Sequence, residues 1–287
     1  MDVGLLMLLG GFAAGVFGSL LGLGGGILIV PLLTLGFGLD LRSAVGVSLV
    51  CVIMTSSAAA GVYLERHVAN LRLGMSLELF TAIGALVGGS IAFLVDERLL
   101  SVLFAVLLGY VAFSMIRVPE QSPGDGAGEF DGGPGPEPEP IPAPVALSPA
   151  GVATTFLASV SGPDYAVRNI GRGIVGATGA GVASALLGIG GGIVKVPLMH
   201  VSMGVPLRVA TATSNLMIGI TAAASAVIYL LRGEIDPYVA GPTAIGVFLG
   251  ASFGSRVAHR IGLRYLRLLF VLVIVYTAIQ MLLRAIP

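Results

Sequence analysis

A single cysteine, Cys51, stands in 287 residues. No intramolecular disulfide can therefore form, and no cysteine cluster can hold a metal. Charge is almost as scarce. Asp, Glu, Lys and Arg make up 10% of the chain, fifteen of each sign, for a net charge of zero, which gives no reason to expect nucleic acid or another polyanion as partner. The acids read as loop and terminal residues. With no carboxylate pair at the depth of the apolar segments and no cluster of His and Glu, neither a metal nor an enzyme working inside a membrane is expected, and no cofactor. Positive charge is also missing from the start, MDVGLLMLLGG, where Asp2 stands in place of the Lys or Arg of a secretory signal. That stretch reads as an uncleaved first membrane segment.

Apolar surface is what the chain has in excess. Hydrophobic residues reach 56% and the mean hydropathy is +1.00, so a mostly polar exterior is excluded and an all-α integral membrane protein is expected. Cys51 lies in one of the apolar runs and reads as a small packing residue.

The sequence is written twice. LLGLGGGILIVP at Leu20 to Pro31 returns as LLGIGGGIVKVP at Leu186 to Pro197. The shift that lays Leu20 on Leu186 also superposes Arg42 on Arg208, Ser48 on Ser214, Thr55 on Thr221, and Gly84 and Gly88 on Gly250 and Gly254. The expected division is a first membrane repeat at 1–117, a linker at 118–169 and a second repeat at 170–287. The linker is rich in Pro, Gly and acids with little to bury, as a disordered or polyproline-like tether would be, and Ala150 to Val160 could form a short surface helix.

In each repeat, two shorter apolar segments flank the glycine run and three longer ones follow. In the first half these are Ser43 to Leu64, Leu73 to Val95 and Leu99 to Ile116; in the second, Val209 to Leu231, Tyr238 to Ala258 and Leu266 to Leu283. Segments of about this length, rising 1.5 Å per residue, cross a ~30 Å hydrocarbon core. If the first two segments form a hairpin with both ends on one membrane face, ten arginines share one side: Arg66, Arg72, Arg117, Arg168, Arg172, Arg208 and the four from Arg256 to Arg267. Arg42, Arg98, Arg232 and Arg284 lie opposite. A single interrupted crossing would split them evenly, so the positive-inside rule favours the hairpin, with the linker cytoplasmic and both termini outside. A hairpin plus three spans makes an odd number of crossings. The repeats are then inverted, each a Gly-rich broken-helix hairpin plus three transmembrane helices, about an axis in the membrane plane.

Successive N–H groups in the turns Gly24, Gly25, Gly26 and Gly190, Gly191, Gly192, each opening a half-helix, would make two facing donor arrays for a small anion. Glycines four apart, such as Gly246, Gly250 and Gly254, read instead as close helix packing. GLGGGI lacks the remaining residues of a dinucleotide or phosphate-loop motif, and its flanks are membrane helices. Lys195 replaces Ile29 of the first repeat in an otherwise apolar segment. A lysine at that depth costs on the order of 3 kcal/mol, so it is expected either to snorkel to the headgroups or to supply a fixed positive charge for an anion. Ser48 and Ser214, with Asn215, are further candidate substrate ligands. His200, one turn beyond Lys195, is the candidate for a coupling proton, and Arg42 and Arg208 stand at the mouths of the third segments.

The LLGxGGGxxxxPLL-like element, present in both halves of an apolar chain of eight to ten segments, resembles that of the TauE/SafE family of sulfite exporters and anion permeases. The resemblance covers both halves and omits the linker. It implies a secondary transporter of small sulfur-containing anions, such as sulfite or sulfoacetate, in the cell membrane, driven by an ion gradient with a proton or sodium ion as coupling partner. The alternatives are an anion channel, and a membrane partner or assembly factor for a soluble enzyme docking through the linker and Arg256 to Arg267.

Overall fold

A computed structural model describes residues 3–20, 25–65, 69–117, 160–161, 165–257 and 263–285. Gly24, Arg66, Arg260, residues 118–159 of the linker at 118–169, and all but Val160 of the expected helix from Ala150 lie outside the described residues. Among the described residues the chain is helical and forms no β-strand.

The first half runs as α1 (Val3–Leu20), α2 (Gly26–Pro31), α3 (Leu41–Glu65), α4 (Leu71–Ala92) and α5 (Glu97–Arg117). The second runs as α6 (Ile170–Leu187), α7 (Gly192–Pro197), α8 (Leu207–Leu231), α9 (Pro237–Val257) and α10 (Leu263–Ala285). Pro31 and Pro197 close α2 and α7, and each helix passes at once into a π-helical turn, Leu32–Gly36 and Leu198–Ser202. A proline offers no N–H to the carbonyl four residues back, so the regular ladder is broken where the winding changes. At the start of α4, Asn70 caps the helix by accepting from the Leu73 N–H at 3.0 Å.

In each half the first helix packs against the segment that follows the short helix. A β-carbon at Gly10 would lie 2.9 Å from Leu32, and in the second half Gly176 faces Leu198 while Gly173 faces Met203. The partners descend along the second arm as the glycines ascend along α6, so the arms of the hairpin are antiparallel.

Contacts between the halves are exchanged rather than private. α1 packs on α9 and α6 on α4, the same pair of positions with the halves swapped, while α3 packs on α8 and α5 on α10. Gly246, Gly250 and Gly254 sit against Leu8, Phe12 and Val16, which makes α1 and α9 parallel, and Gly84 and Gly88 sit against Thr178 and Val182 in the same sense. α3 and α8 run the opposite way. Gly46 near the start of α3 lies against Tyr229 near the end of α8, whereas Ser56 reaches back to Asn215 and Gly219.

These glycines are close-packing positions, as their spacing predicts. A β-carbon at Gly250 would collide with the Phe12 carbonyl oxygen, whereas at Gly241 on the same helix it would meet nothing within 4 Å. Gly250→Ala should therefore destabilise by about 1–3 kcal/mol through overpacking. Gly241→Ala should be neutral or stabilising by up to about 1 kcal/mol. Thermal unfolding of the two variants in detergent checks this, and equal melting temperatures would refute the packing assignment.

Five helices among the described residues, α3, α4, α5, α6 and α8, are long and apolar enough to cross a membrane. This departs in part from the sequence reading. α6 extends back to Ile170 and reaches 18 residues, about 27 Å. α9, expected as a span, is not among the five and holds four glycines, two prolines, two serines and a threonine in 21 residues. Along α4 the exposed residues Met75, Leu79, Ile83 and Leu86 form one apolar stripe. Such a stripe suits lipid, and the opposite face of α4 is buried in the protein.

Candidate functional site

The two glycine turns meet in the interior, between α3 and α8. At Gly26 a β-carbon would lie 2.6 Å from the Gly188 carbonyl oxygen and 2.7 Å from Val52. Gly188, Gly190 and Gly191 all have φ between 68° and 74°, a left-handed backbone that glycine alone adopts without strain in such a succession. Gly190 is wedged between Ile218 and Val52. No side chain caps α2 or α7, so the N–H groups of their first turns have no side-chain acceptor.

Ser48 ties the turns together. Its buried hydroxyl donates to the Gly188 carbonyl at 2.8 Å and lies 3.2 Å from that of Gly26. Ser214, its counterpart in the repeat, is buried to the same degree but its Oγ has no hydrogen-bond partner, and the Oγ of Ser184 has none either. Both stand beside the second turn, Ser184 against Gly191 and Ser214 near Gly192. An unpaired buried hydroxyl costs about 1–3 kcal/mol, so two at one turn call for a reason. Asn215 is buried next to Ser214, and its backbone carbonyl accepts from Ser56. Thr211 bonds the Leu207 carbonyl one turn back in its own helix.

The electrostatics differ from the sequence reading at one decisive point. Glu78 is not a loop residue. It lies on the buried face of α4, 4% exposed, and its Oε2 accepts from Lys195 Nζ at 3.1 Å. Thr221 completes the group, accepting from Lys195 at 2.5 Å and donating to Glu78 Oε1 at 2.6 Å. Lys195 is 1% exposed, so it does not snorkel, and it is not a lone positive charge: the carboxylate neutralises it. The expectation that acids stay in loops and near termini is thereby corrected. The available signal was Glu78 itself, one carboxylate inside the apolar segment Leu73 to Val95, which at such a position needs a partner.

His200 sits on the exposed side of the π-helical turn, its Nδ1 2.9 Å from the Val205 carbonyl oxygen. Arg42 donates from Nη2 to the Val95 carbonyl at 2.8 Å, and its guanidinium lies 5.8 Å from the Phe93 ring, with Arg232 5.1 Å from the same ring. Among the described residues no group of three or more His, Cys, Asp or Glu is placed to hold a metal.

The model of the family described as Sulfite exporter TauE/SafE matches residues 7–281. A probable membrane transporter protein of Bacillus subtilis (strain 168), YunE, is 24% identical over 94% of this chain and 94% of its own length. A probable membrane transporter protein of Xylella fastidiosa (strain 9a5c) is 25% identical over 96% of this chain and 92% of its own. No solved structure matches.

Proposed function

The chain belongs to the sulfite exporter TauE/SafE family, and from that premise we propose that it carries a small sulfur-containing anion, sulfite, sulfoacetate or a related organosulfur anion, across the cell membrane by alternating access. The anion sits between the hairpin tips. The N–H groups of Gly24, Gly25 and Gly26 and of Gly190, Gly191 and Gly192 surround it, with the hydroxyls of Ser48 and Ser214, Asn215, and the ammonium of Lys195 beside them.

The observation that carries this reading is the pair of partnerless hydroxyls, Ser184 and Ser214, buried against a left-handed glycine turn whose helix no side chain caps. Oriented, uncharged donors in a protein interior suit an anion. The antiparallel course of α3 and α8 and the swapped contacts of the halves support inverted repeats at 1–117 and 170–287, joined by a cytoplasmic linker at 118–169, with both termini outside. Two hairpins entering from opposite faces and touching at Gly26 and Gly188 would meet near the midplane, where a transporter of this architecture holds its substrate.

Thermal unfolding of the purified protein with sulfite, sulfate, thiosulfate and sulfoacetate tests the site. A sulfur anion at about one hundred times its dissociation constant should stabilise by about 2.7 kcal/mol. Ser214→Ala should weaken that response at least several-fold while leaving the anion-free protein no less stable, because the lost hydroxyl has no partner to leave behind. If no sulfur anion raises the melting temperature and none exchanges across reconstituted vesicles, the substrate assignment fails.

A further inference from the structure

The ion pair Glu78 to Lys195 has a counterpart position in the other repeat, and that counterpart is apolar. The register that lays Leu20 on Leu186 puts Ala244 where Glu78 stands, Ile29 where Lys195 stands and Thr55 where Thr221 stands. Ile29 and Ala244 are buried, 0% and 5% exposed. The same architecture is thus packed with and without the charges inside one molecule, so the pair is not a requirement of the fold. A buried pair is in general weak evidence for stability, since desolvation offsets its attraction. Its cost is steeper among apolar helices, where an ionisable residue marks a pathway for ions or protons.

Position adds direction to this argument. Glu78 belongs to the first half, while Lys195 and Thr221 belong to the second, so the pair bridges the two bodies that alternating access would move. Lys195 lies on the short helix opened by the glycine turn, its own N–H bonded to the Gly191 carbonyl at 3.1 Å. Among the described residues nothing else with a charge competes for Glu78 from its own helix or the packed neighbours. On α4 itself Arg72 is exposed in the first turn, and α6 carries only Arg172, exposed near its start. α8 carries Arg208 in its first turn and Tyr229 near its end, whose hydroxyl donates to the Ala185 carbonyl at 2.9 Å.

Resting on the proposed anion site, we infer that Glu78 is the proton-binding group that couples transport, with Lys195 exchanging the Glu78 carboxylate for the substrate anion when Glu78 takes up a proton. For a monoanion such as hydrogensulfite the charges balance. Before binding, the ammonium and carboxylate sum to zero; afterwards the ammonium faces one anionic charge and Glu78 is a neutral acid, whose carbonyl oxygen still accepts from Thr221. An anion arriving without the proton would leave two negative charges beside one positive in a buried site, which is strongly disfavoured. Anion and proton therefore travel together, and His200 has no part in the step.

The test uses the full-length protein in vesicles, with radiolabelled sulfite as probe. Anion exchange at equal pH reads the substrate site, and accumulation under a proton gradient reads the coupling. At one proton per anion, each pH unit should drive about tenfold accumulation in wild type. Glu78→Gln, which holds the neutral form, should keep exchange and lose gradient-driven accumulation. Accumulation by Glu78→Gln equal to wild type overturns the inference, as does wild-type exchange indifferent to pH gradients, which would leave the anion site standing. If no anion exchanges at all, the substrate reading falls, and infrared difference spectra between acid and neutral pH decide the proton site alone. A protonated carboxyl band that disappears in Glu78→Gln supports it, and its absence from wild type overturns it. Should Glu78→Gln fail to fold, the infrared comparison is made with Glu78→Gln plus Lys195→Gln, in which loss of the protonated carboxyl band supports the assignment and its persistence overturns it.

Discussion

Lys195→Met should lower stability by about 3–5 kcal/mol, because it leaves the Glu78 carboxylate buried and without its counter-charge. At about 2–4 °C per kcal/mol for a chain of this order of size, the melting temperature in detergent should fall by roughly 10 °C. Thr221 would still donate to one carboxylate oxygen, but a neutral hydroxyl does not replace an ammonium at 3.1 Å. Adding Glu78→Leu to Lys195→Met should recover most of the loss. The other copy of the same architecture already buries Ile29 and Ala244 at these positions, so an apolar pair has a working precedent in the molecule. A Lys195→Met protein as stable as wild type would mean that the pair does not form. A double variant as unstable as the single would locate the effect in packing of the lysine stem, not in charge.

Gly26→Ala should abolish transport while costing stability only about 1–3 kcal/mol. Its methyl would collide with the Gly188 carbonyl oxygen and with Val52, at 2.6 and 2.7 Å. The first of these is backbone of the opposite hairpin and the second a branched side chain on α3, so relief comes from parting the tips. That movement pulls apart the two carbonyls joined by Ser48. A displacement of about 1 Å at a site of oriented groups can cost on the order of a hundredfold in rate. Gly179→Ala, on an arm of the second hairpin with nothing within 4 Å of the added carbon, is the matched control and should transport as wild type does. Vesicle exchange of sulfite compares them. Equal rates for Gly26→Ala and wild type would show that the contact of the tips does not matter to the path.

Much of this was legible in the sequence because it is local or written twice. A run of three glycines breaks a helix wherever it falls, and it stands at matching positions in both halves, between α1 and α2 and between α6 and α7. Ser48 and Ser214 were paired by the same register, and Gly246, Gly250 and Gly254 by their spacing alone. What stayed hidden depends on which faces meet. Glu78 and Lys195 come together from different halves of the chain, and an acid inside an apolar segment looks the same on the sequence whether it faces lipid, water or a lysine. The divergence of the two serines was equally invisible, since it arises from the turns around them. The reach of α6 and the absence of α9 from the five spans reflect small residues, which hydropathy reads poorly because they serve close packing more than burial of area.

The swapping of helices between halves also bears on how the chain is made. Gly246 rests against the Leu8 carbonyl, a partner from the opposite end of the chain, and α4 waits for α6 across the whole linker. At synthesis rates of about 5–20 residues per second, α1 spends roughly 10–50 s in the bilayer before its neighbour α9 exists. Throughout that interval its glycine face has only lipid, or another protein, to lie against. The first half thus leaves the ribosome as an unfinished object, and whatever shelters it in those seconds governs how much of the protein is ever assembled.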